Sequence, residues 1–255
     1  RILSVIMAMV MVLAMSVPTF AAGTAPSDAD KATITVTGIE NGATVKAYRI
    51  VEPLYNDNGL YGYQVVSPYI IADHTNFVPT FDEITTIAAQ VSGTPYSLNG
   101  DFANGYSATV PAGEYIVIIE STNYTYNPVV VSAAYSNANN KASLANGTIS
   151  ATEKWTLEDG KSAAKSSKVE INKTVSQPDA AVGDKVDYKI TGTIPSYGPQ
   201  FVDPVYKITD EIKNAKYASD ITVTIGGKPA VKGTDYTITG GTESDDKFEI
   251  VFSNV

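Results

Sequence analysis

Alternating apolar and polar side chains predict short β-strands in the first part of the chain. Residues 33–38 and 44–50 both alternate with a period of two, which places one face of each strand on a core. The dipeptide Asn41-Gly42 lies between them, and Asn-Gly is a strong signal for a tight turn between paired strands. We therefore expect a β-hairpin at the start of an antiparallel sheet.

A later run, residues 115–119, is apolar at every position and follows the turn signal Pro111-Ala112-Gly113. A strand with apolar residues on both parities is typical of a sheet that is covered on both faces. We therefore expect this run to be a central strand. A further turn is predicted at residues 56–59, where Asn, Asp and Gly cluster.

One segment of this β-rich chain has the signature of a helix. Thr80 and Glu83 form a capping box, in which the Thr hydroxyl accepts from a backbone N–H and the Glu reaches back. The positions that follow form a helical apolar stripe: Phe81, Ile84, Ile87, Ala88 and Val91. Ser92-Gly93 is the predicted end. We expect this helix to cover one face of a sandwich.

The chain becomes polar and small over residues 137–168, which indicates a junction between two domains. Period-two patterns return after it, at Val186/Tyr188/Ile190, Ile221/Val223/Ile225, Tyr236/Ile238 and Phe248/Ile250/Phe252. Short strands at this spacing favour an immunoglobulin-like sandwich. The predicted fold class is all-β, with two tandem immunoglobulin-like β-sandwich domains over residues 23–165 and 166–255, the first carrying a short inserted helix.

The amino end has the features of a secretory signal peptide. Arg1 precedes an apolar run over residues 2–15, and residues 16–22 supply small side chains for cleavage. A membrane anchor is the competing interpretation, but the run is short for a membrane span. We expect residues 1–22 to be removed, and the mature protein to be secreted and free of the membrane.

Composition excludes several classes of function. The net charge of −9 argues against a nucleic-acid partner, because phosphate binding requires clustered Lys and Arg. The chain has no Cys, so disulfides and thiolate sites are excluded, and its single His, His74, lies in a loop-like stretch. We expect His74 to be solvated. No metal or other cofactor is predicted, and neighbouring acidic residues such as Asp82 and Glu83 do not form a glycosidase pair.

Lysine and aspartate interrupt two apolar strand faces in the second domain. Alternation puts Lys173 on the same face as Val169, Ile171 and Val175, and it puts Asp210 between Ile208 and Ile212. Burial favours the neutral forms of both groups, and a neutral amine is a nucleophile. We expect both side chains in one interior. A salt bridge, or a register shift that exposes both residues, is the alternative.

The blocks 173–175, 182–195 and 208–210 resemble, in this order, the isopeptide-forming fimbrial domain of sortase-assembled pilins. The resemblance implies that Lys173 is the bond-forming amine and that Asp210 is the catalytic acid. It also implies an Asn acceptor in the last strand of the domain. Asn254 is the fallback acceptor, and we expect the sequence to stop before the strand that normally carries it.

The first domain resembles, more loosely, the Cna protein B-type domain at residues 111–117 and 126–131. The pilin resemblance further implies a lysine, near the end of the first domain, that sortase joins to the next subunit. Lys165 lies ten positions after Trp155, close to the family spacing, although Ala163-Ala164 replaces the family's Tyr-Pro. Lys165 is the predicted linkage residue, with Lys161 and Lys168 as rivals.

These features together predict a structural backbone pilin of a fimbria at the cell surface, attached to the cell wall, and not an enzyme. The expected partners are other pilin subunits and a sortase. The alternative is an adhesin in which tyrosines stack on a host or dietary glycan. The tyrosines behind this alternative are clustered in two stretches: Tyr55, Tyr61, Tyr63 and Tyr69, and Tyr124 and Tyr126. Packing within strands is the simpler role for them.

Overall fold

The protein is described by a computed structural model. It describes residues 26–57, 59–137, 144, 155–201, 203–218 and 221–253. The predicted signal peptide therefore lies outside the described residues. Within the described ranges, no helix is both long enough and apolar enough to cross a membrane.

The first domain consists of eleven described strands and one helix. The strands are β1 Lys31–Thr37, β2 Thr44–Asn56, β3 Gly59–Val65, β4 Tyr96–Asp101, β5 Gly105–Pro111, β6 Gly113–Glu120, β7 Tyr124–Tyr126, β8 Val129–Ser136, β9 Thr156–Glu158, β10 Gly160–Ala163 and β11 Ser166–Lys168. Nine of them form one folded-over sheet with the order β10-β1-β5-β4-β2-β6-β8-β9, and β3 pairs with β2. All of these pairings are antiparallel except β1 with β10.

Strand β6 is covered on both faces, as its sequence predicts. The odd positions Tyr115, Val117 and Ile119 join one apolar core with β1 and β5. The even positions Ile116 and Ile118 join a second core. The strand lies between β2 and β8, so its backbone groups are paired on both edges. The prediction of a central strand is confirmed.

Helix α1, Phe81–Ala89, covers the second core. Thr80 is its N-cap, and both hydrogen bonds of the capping box are present. Ile84, Ile87 and Ala88 are buried, but Phe81 is exposed, so the predicted stripe is wrong at its first position. The helix ends at Ala89, with Gln90 as its C-cap, before the predicted stop at Ser92-Gly93.

The predicted first hairpin is wrong. Strand β1 pairs with β5 and β10, whereas β2 pairs with β3, β4 and β6. The turn at Asn41-Gly42 therefore joins two strands that do not pair with each other. A turn signal fixes where the chain reverses, but it does not fix which strands then share hydrogen bonds. The second predicted turn does join a hairpin, that of β2 and β3.

The second domain is built from smaller sheets. Its strands are β12 Ile171–Val175, β13 Tyr188–Gly192, β14 Lys207–Glu211, β15 Thr224–Ile225, β16 Lys228–Pro229, β17 Tyr236–Gly240 and β18 Lys247–Phe252. β12 pairs with β13, β15 pairs with β16, and β14-β18-β17 form a three-stranded sheet. Its core centres on Tyr236, Phe248 and Ile250, with Ile190 packed against them.

The described end of the polar junction segment, residues 156–168, contains three strands that pair with strands of the first domain. β10 adds to the edge of β1, β9 adds to β8, and β11 pairs with β7 of the first domain. Further hydrogen bonds join the domains. The Thr125 hydroxyl donates to the Ser196 carbonyl (2.9 Å), the Gln200 amide donates to the Tyr126 carbonyl (2.6 Å), and the Val169 N–H donates to the Asn123 carbonyl (2.8 Å). Strands β9, β10 and β11 are therefore attached to the first domain.

Candidate functional site

Lys173 lies at the middle of β12, opposite Ile190 on β13. Directly opposed residues of an antiparallel pair share a face. Ile190 packs against the core of the second domain, so Lys173 is on the face that is turned toward that core. The parity argument from the sequence thus gave the correct face for this lysine.

Asp210 lies on β14, opposite Phe248 on β18. Phe248 is buried in the core of the second domain, so Asp210 shares the inner face of the three-stranded sheet. Its side chain is 14% exposed. The inward direction predicted from Ile208 and Ile212 is therefore observed for Asp210.

The structure brings these two side chains into contact. Lys173 Nζ lies 2.6 Å from Asp210 Oδ1, as an ion pair and a hydrogen bond between two different sheets. The Lys173 ammonium also lies 4.7 Å from the centre of the Tyr188 ring. Tyr217 donates its hydroxyl to the Asp210 carbonyl (3.2 Å). Burial first, and the charge of Asp210 second, raise the pKa of Tyr217 to about 12.

The expected dry interior is wrong for Lys173, whose side chain is 36% exposed. Its neighbours on the same face are open as well: Ile171 is 61% exposed, and Val175 is also exposed. The three-stranded sheet covers Ile190 but not these flanking positions. The contact itself agrees both with a bond-forming site and with the ion-pair alternative stated from the sequence.

Asn254, the fallback acceptor, lies outside the described residues. The described strand nearest to it in sequence is β18, which pairs with β14 and places Phe248 opposite Asp210. Within the described residues, no group of three or more His, Cys, Asp and Glu side chains could hold a metal ion.

The three candidate linkage lysines lie on or between the strands at the domain junction, and all are exposed. Lys161 is within β10, and Lys168 is the last residue of β11. Lys168 Nζ lies 2.6 Å from Glu170 Oε1, and this hydrogen bond and charge raise the pKa of Lys168. Lys165 lies in the short crossover between the two strands.

The backbone around Lys165 is held on both sides. The Lys165 carbonyl accepts a hydrogen bond from the Asn127 N–H (3.1 Å), and the Ala164 N–H donates to the Thr37 carbonyl (2.8 Å). The Lys165 side chain is therefore presented to solvent from a fixed backbone. Its neighbours in space come from β1 and from the turn after β7.

The tyrosine clusters do not form a continuous exposed aromatic surface. Tyr63, Tyr69 and Tyr126 are buried, and Tyr55 and Tyr124 are half-buried. Tyr61 is exposed. The simpler role, packing within and between strands, therefore describes most of them. His74 is exposed, as predicted, and stacks on Phe77 with ring centres 5.8 Å apart.

The sequence analysis missed a buried acid in the first domain. Glu114 on β6 is 4% exposed, and it accepts one hydrogen bond from the Ser132 hydroxyl (3.2 Å). Its other carboxyl oxygen, Oε1, has no hydrogen-bond partner. Burial raises the pKa of Glu114 to about 8, although the bond from Ser132 acts in the opposite direction. The sequence signal that could have indicated its burial is the position of Glu114 directly before the apolar run 115–119.

Comparisons with known proteins agree with this architecture. The family model described as the T6 antigen Ig-like domain matches residues 29–166. The trypsin-resistant surface T6 protein of Streptococcus pyogenes serotype M6 is 29% identical over 200 residues, which cover 72% of this chain and 36% of that protein.

Two solved pilins are also similar in structure. The T6 backbone pilin of serotype M6 Streptococcus pyogenes, described as a modular three-domain structure, has a TM-score of 0.65 at 22% identity, covering 90% of this chain and 51% of that one. The full-length major pilin SpaD of Corynebacterium diphtheriae has a TM-score of 0.47 at 15% identity, covering 88% of this chain and 53% of that one. The chain thus spans 36% of the length of its curated relative and 51% of the first solved pilin. The predicted immunoglobulin-like all-β fold is confirmed by the family model and by the similarity to the T6 backbone pilin.

Proposed function

The chain belongs to the T6 antigen Ig-like domain family, and we propose that it is a structural subunit of a cell-surface pilus, of the backbone type. The observation that carries this proposal is the match to the family domain over residues 29–166, together with 29% identity over 200 residues to a protein named as a surface T6 protein. Its role is mechanical and not catalytic, and its partners are other pilin subunits.

We propose further that Lys173 forms an isopeptide bond with an asparagine side chain. The contact of 2.6 Å between Lys173 Nζ and Asp210 Oδ1 supports it, because the carboxylate can take a proton from the ammonium. The neutral amine then attacks the carboxamide carbon of the asparagine. Asp210 passes the proton of the attacking nitrogen to the leaving amide nitrogen, and the C–N bond to that nitrogen breaks. Ammonia leaves, and it carries away as ammonium the proton first taken from Lys173, which restores the Asp210 carboxylate.

Intact mass spectrometry tests this bond. The wild-type protein is expected to be lighter by one ammonia molecule, whereas Lys173→Ala and Asp210→Ala variants keep the full mass. Asn254→Ala determines whether that residue is the acceptor. Residues 23–255 and the complete gene product are measured in parallel. If neither protein loses ammonia, the isopeptide proposal is refuted, whereas the assignment to a pilus subunit is not.

We propose Lys165 as the residue that a sortase links to the carboxyl end of the next subunit. Its side chain is exposed, its carbonyl accepts a hydrogen bond from the Asn127 N–H, and the preceding Ala164 N–H donates to the Thr37 carbonyl, so an accessible amine extends from a held backbone. Lys168 is a poorer nucleophile, because its pairing with Glu170 favours the protonated form. Lys161 lies within a paired strand, where it is less free to enter an enzyme's cleft.

Co-expression with the sortase of the same organism tests this choice. Wild type, Lys161→Ala and Lys168→Ala are expected to give a ladder of covalent polymers that resists boiling in detergent. Lys165→Ala is expected to remain monomeric. A ladder from Lys165→Ala would refute the choice of this lysine, and loss of the ladder in another variant would identify the lysine that is used.

A further inference from the structure

Tyr188 shares a strand face with the lysine of the proposed bond. It is the first residue of β13 and lies opposite Val175, while Lys173 lies opposite Ile190. Tyr188 and Ile190 are two positions apart on one strand, so Tyr188, Ile190 and Lys173 are on the same face. Tyr188 as a residue is 54% exposed, and the centre of its ring lies 4.7 Å from Lys173 Nζ.

The ammonium group is therefore in contact with two partners of different chemistry. Asp210 Oδ1 accepts its hydrogen bond at 2.6 Å, and the face of the Tyr188 ring attracts its positive charge. The other same-face neighbours on β12, Ile171 and Val175, are exposed and form no apolar wall around the lysine. A lysine side chain has four rotatable bonds, so without a second contact its amine would sample many positions.

We propose that Tyr188 is a positioning residue that holds the Lys173 amine at Asp210 for isopeptide formation. This inference rests on the isopeptide bond proposed above. The ring does not react. It restricts the lysine to rotamers in which Nζ faces the carboxylate, and it covers one side of the amine that solvent would otherwise reach. Its effect requires the aromatic face and not the hydroxyl.

Two substitutions separate positioning from a general packing role. Tyr188→Phe keeps the ring and removes only the hydroxyl, whereas Tyr188→Leu keeps an apolar side chain of moderate size but removes the aromatic face. Tyr197→Leu is the control, because Tyr197 is a half-buried tyrosine of the same domain whose ring contacts Phe201. All three are expected to fold.

The rate of ammonia loss after refolding is followed by intact mass. The measurement uses residues 23–255 or the complete gene product, according to which of the two forms the bond as wild type. Tyr188→Phe and Tyr197→Leu are expected to react within about twofold of wild type, and Tyr188→Leu roughly three- to tenfold more slowly, as expected when one or two lysine torsions, each with three staggered rotamers, are no longer restricted. Equal rates for Tyr188→Leu and wild type would overturn the inference, and so would a Tyr188→Phe variant as slow as Tyr188→Leu.

A second measurement does not depend on the bond. In the NMR spectrum of unreacted protein carrying Asp210→Ala, the Lys173 Hε resonances are expected upfield of the other lysines, because the Tyr188 ring current shields them. The shift should persist in Tyr188→Phe and vanish in Tyr188→Leu. Unshifted Lys173 resonances with Tyr188 in place would overturn the inference. If the wild type loses no ammonia but shows the shift, the isopeptide bond is refuted, whereas the contact between Tyr188 and Lys173 is not.

Discussion

The buried carboxyl group of Glu114 leads to a specific prediction about pH and stability. Its pKa is raised by burial from the ordinary value of 4.5 to about 8 in the folded protein. Between these two values the unfolded chain releases the proton while the folded domain keeps it. The folded state then binds more protons, so the free energy of unfolding falls as pH rises through this window.

The size of the effect follows from the two pKa values. Each pH unit inside the window costs about 1.36 kcal/mol, so the contribution of Glu114 changes by about 3.5 kcal/mol between pH 5 and pH 8. Above pH 8 the carboxyl ionises in both states and the dependence levels off. Replacing Glu114 with Gln keeps the shape of the side chain but removes the titration. The Glu114→Gln variant should therefore lack this loss of stability.

Urea unfolding at pH 5, 6, 7 and 8 measures the effect. The fluorescence of the single tryptophan, Trp155, reports the unfolding, because Trp155 packs against the second core of the first domain. The difference in unfolding free energy between Glu114→Gln and wild type should grow steadily in favour of the variant. Glu120→Gln is the control, because Glu120 is exposed on the same strand. Parallel pH profiles for wild type and Glu114→Gln would refute the reasoning.

Three further predictions concern the cap, the strand edge and the domain junction. Thr80→Ala removes the N-cap of helix α1 and should lower the free energy of unfolding, measured by thermal unfolding, by about 1 kcal/mol, whereas Thr86→Ala on the exposed face should lower it less. In Gly160→Ala the new Cβ would collide with the Ser132 carbonyl, a backbone group that cannot change rotamer. The substitution should lower the free energy of unfolding, measured in urea, by about 2 kcal/mol. Gln200→Ala removes a hydrogen bond between the domains, so amide exchange should accelerate in β7 and β11 but not in β17 and β18. Unchanged unfolding for either of the first two variants, or unchanged exchange for the third, would contradict these assignments.

Local sequence patterns determined the elements whose signals are complete within a few residues. The capping box at Thr80 is formed by one residue and its neighbour three positions later, and it is present in the structure. The apolar run 115–119 gave a strand covered on both faces, because both parities must be buried when both are apolar. Alternation also gave the correct faces for Lys173 and Asp210, because successive strand residues point to opposite sides.

Only the tertiary structure decided which segments meet and how well each face is covered. The period of a strand does not name its partner, so the pairing of β1 with β5 and β10 could not be read from the turn at Asn41-Gly42. The partial exposure of Lys173 depends on how far a distant sheet extends over β12. The burial of Glu114 likewise depends on the pairing of β6 with β2 and β8, which flank it on its two sides. Side-chain direction is a local property of the backbone, whereas burial and contact are properties of the whole assembled domain.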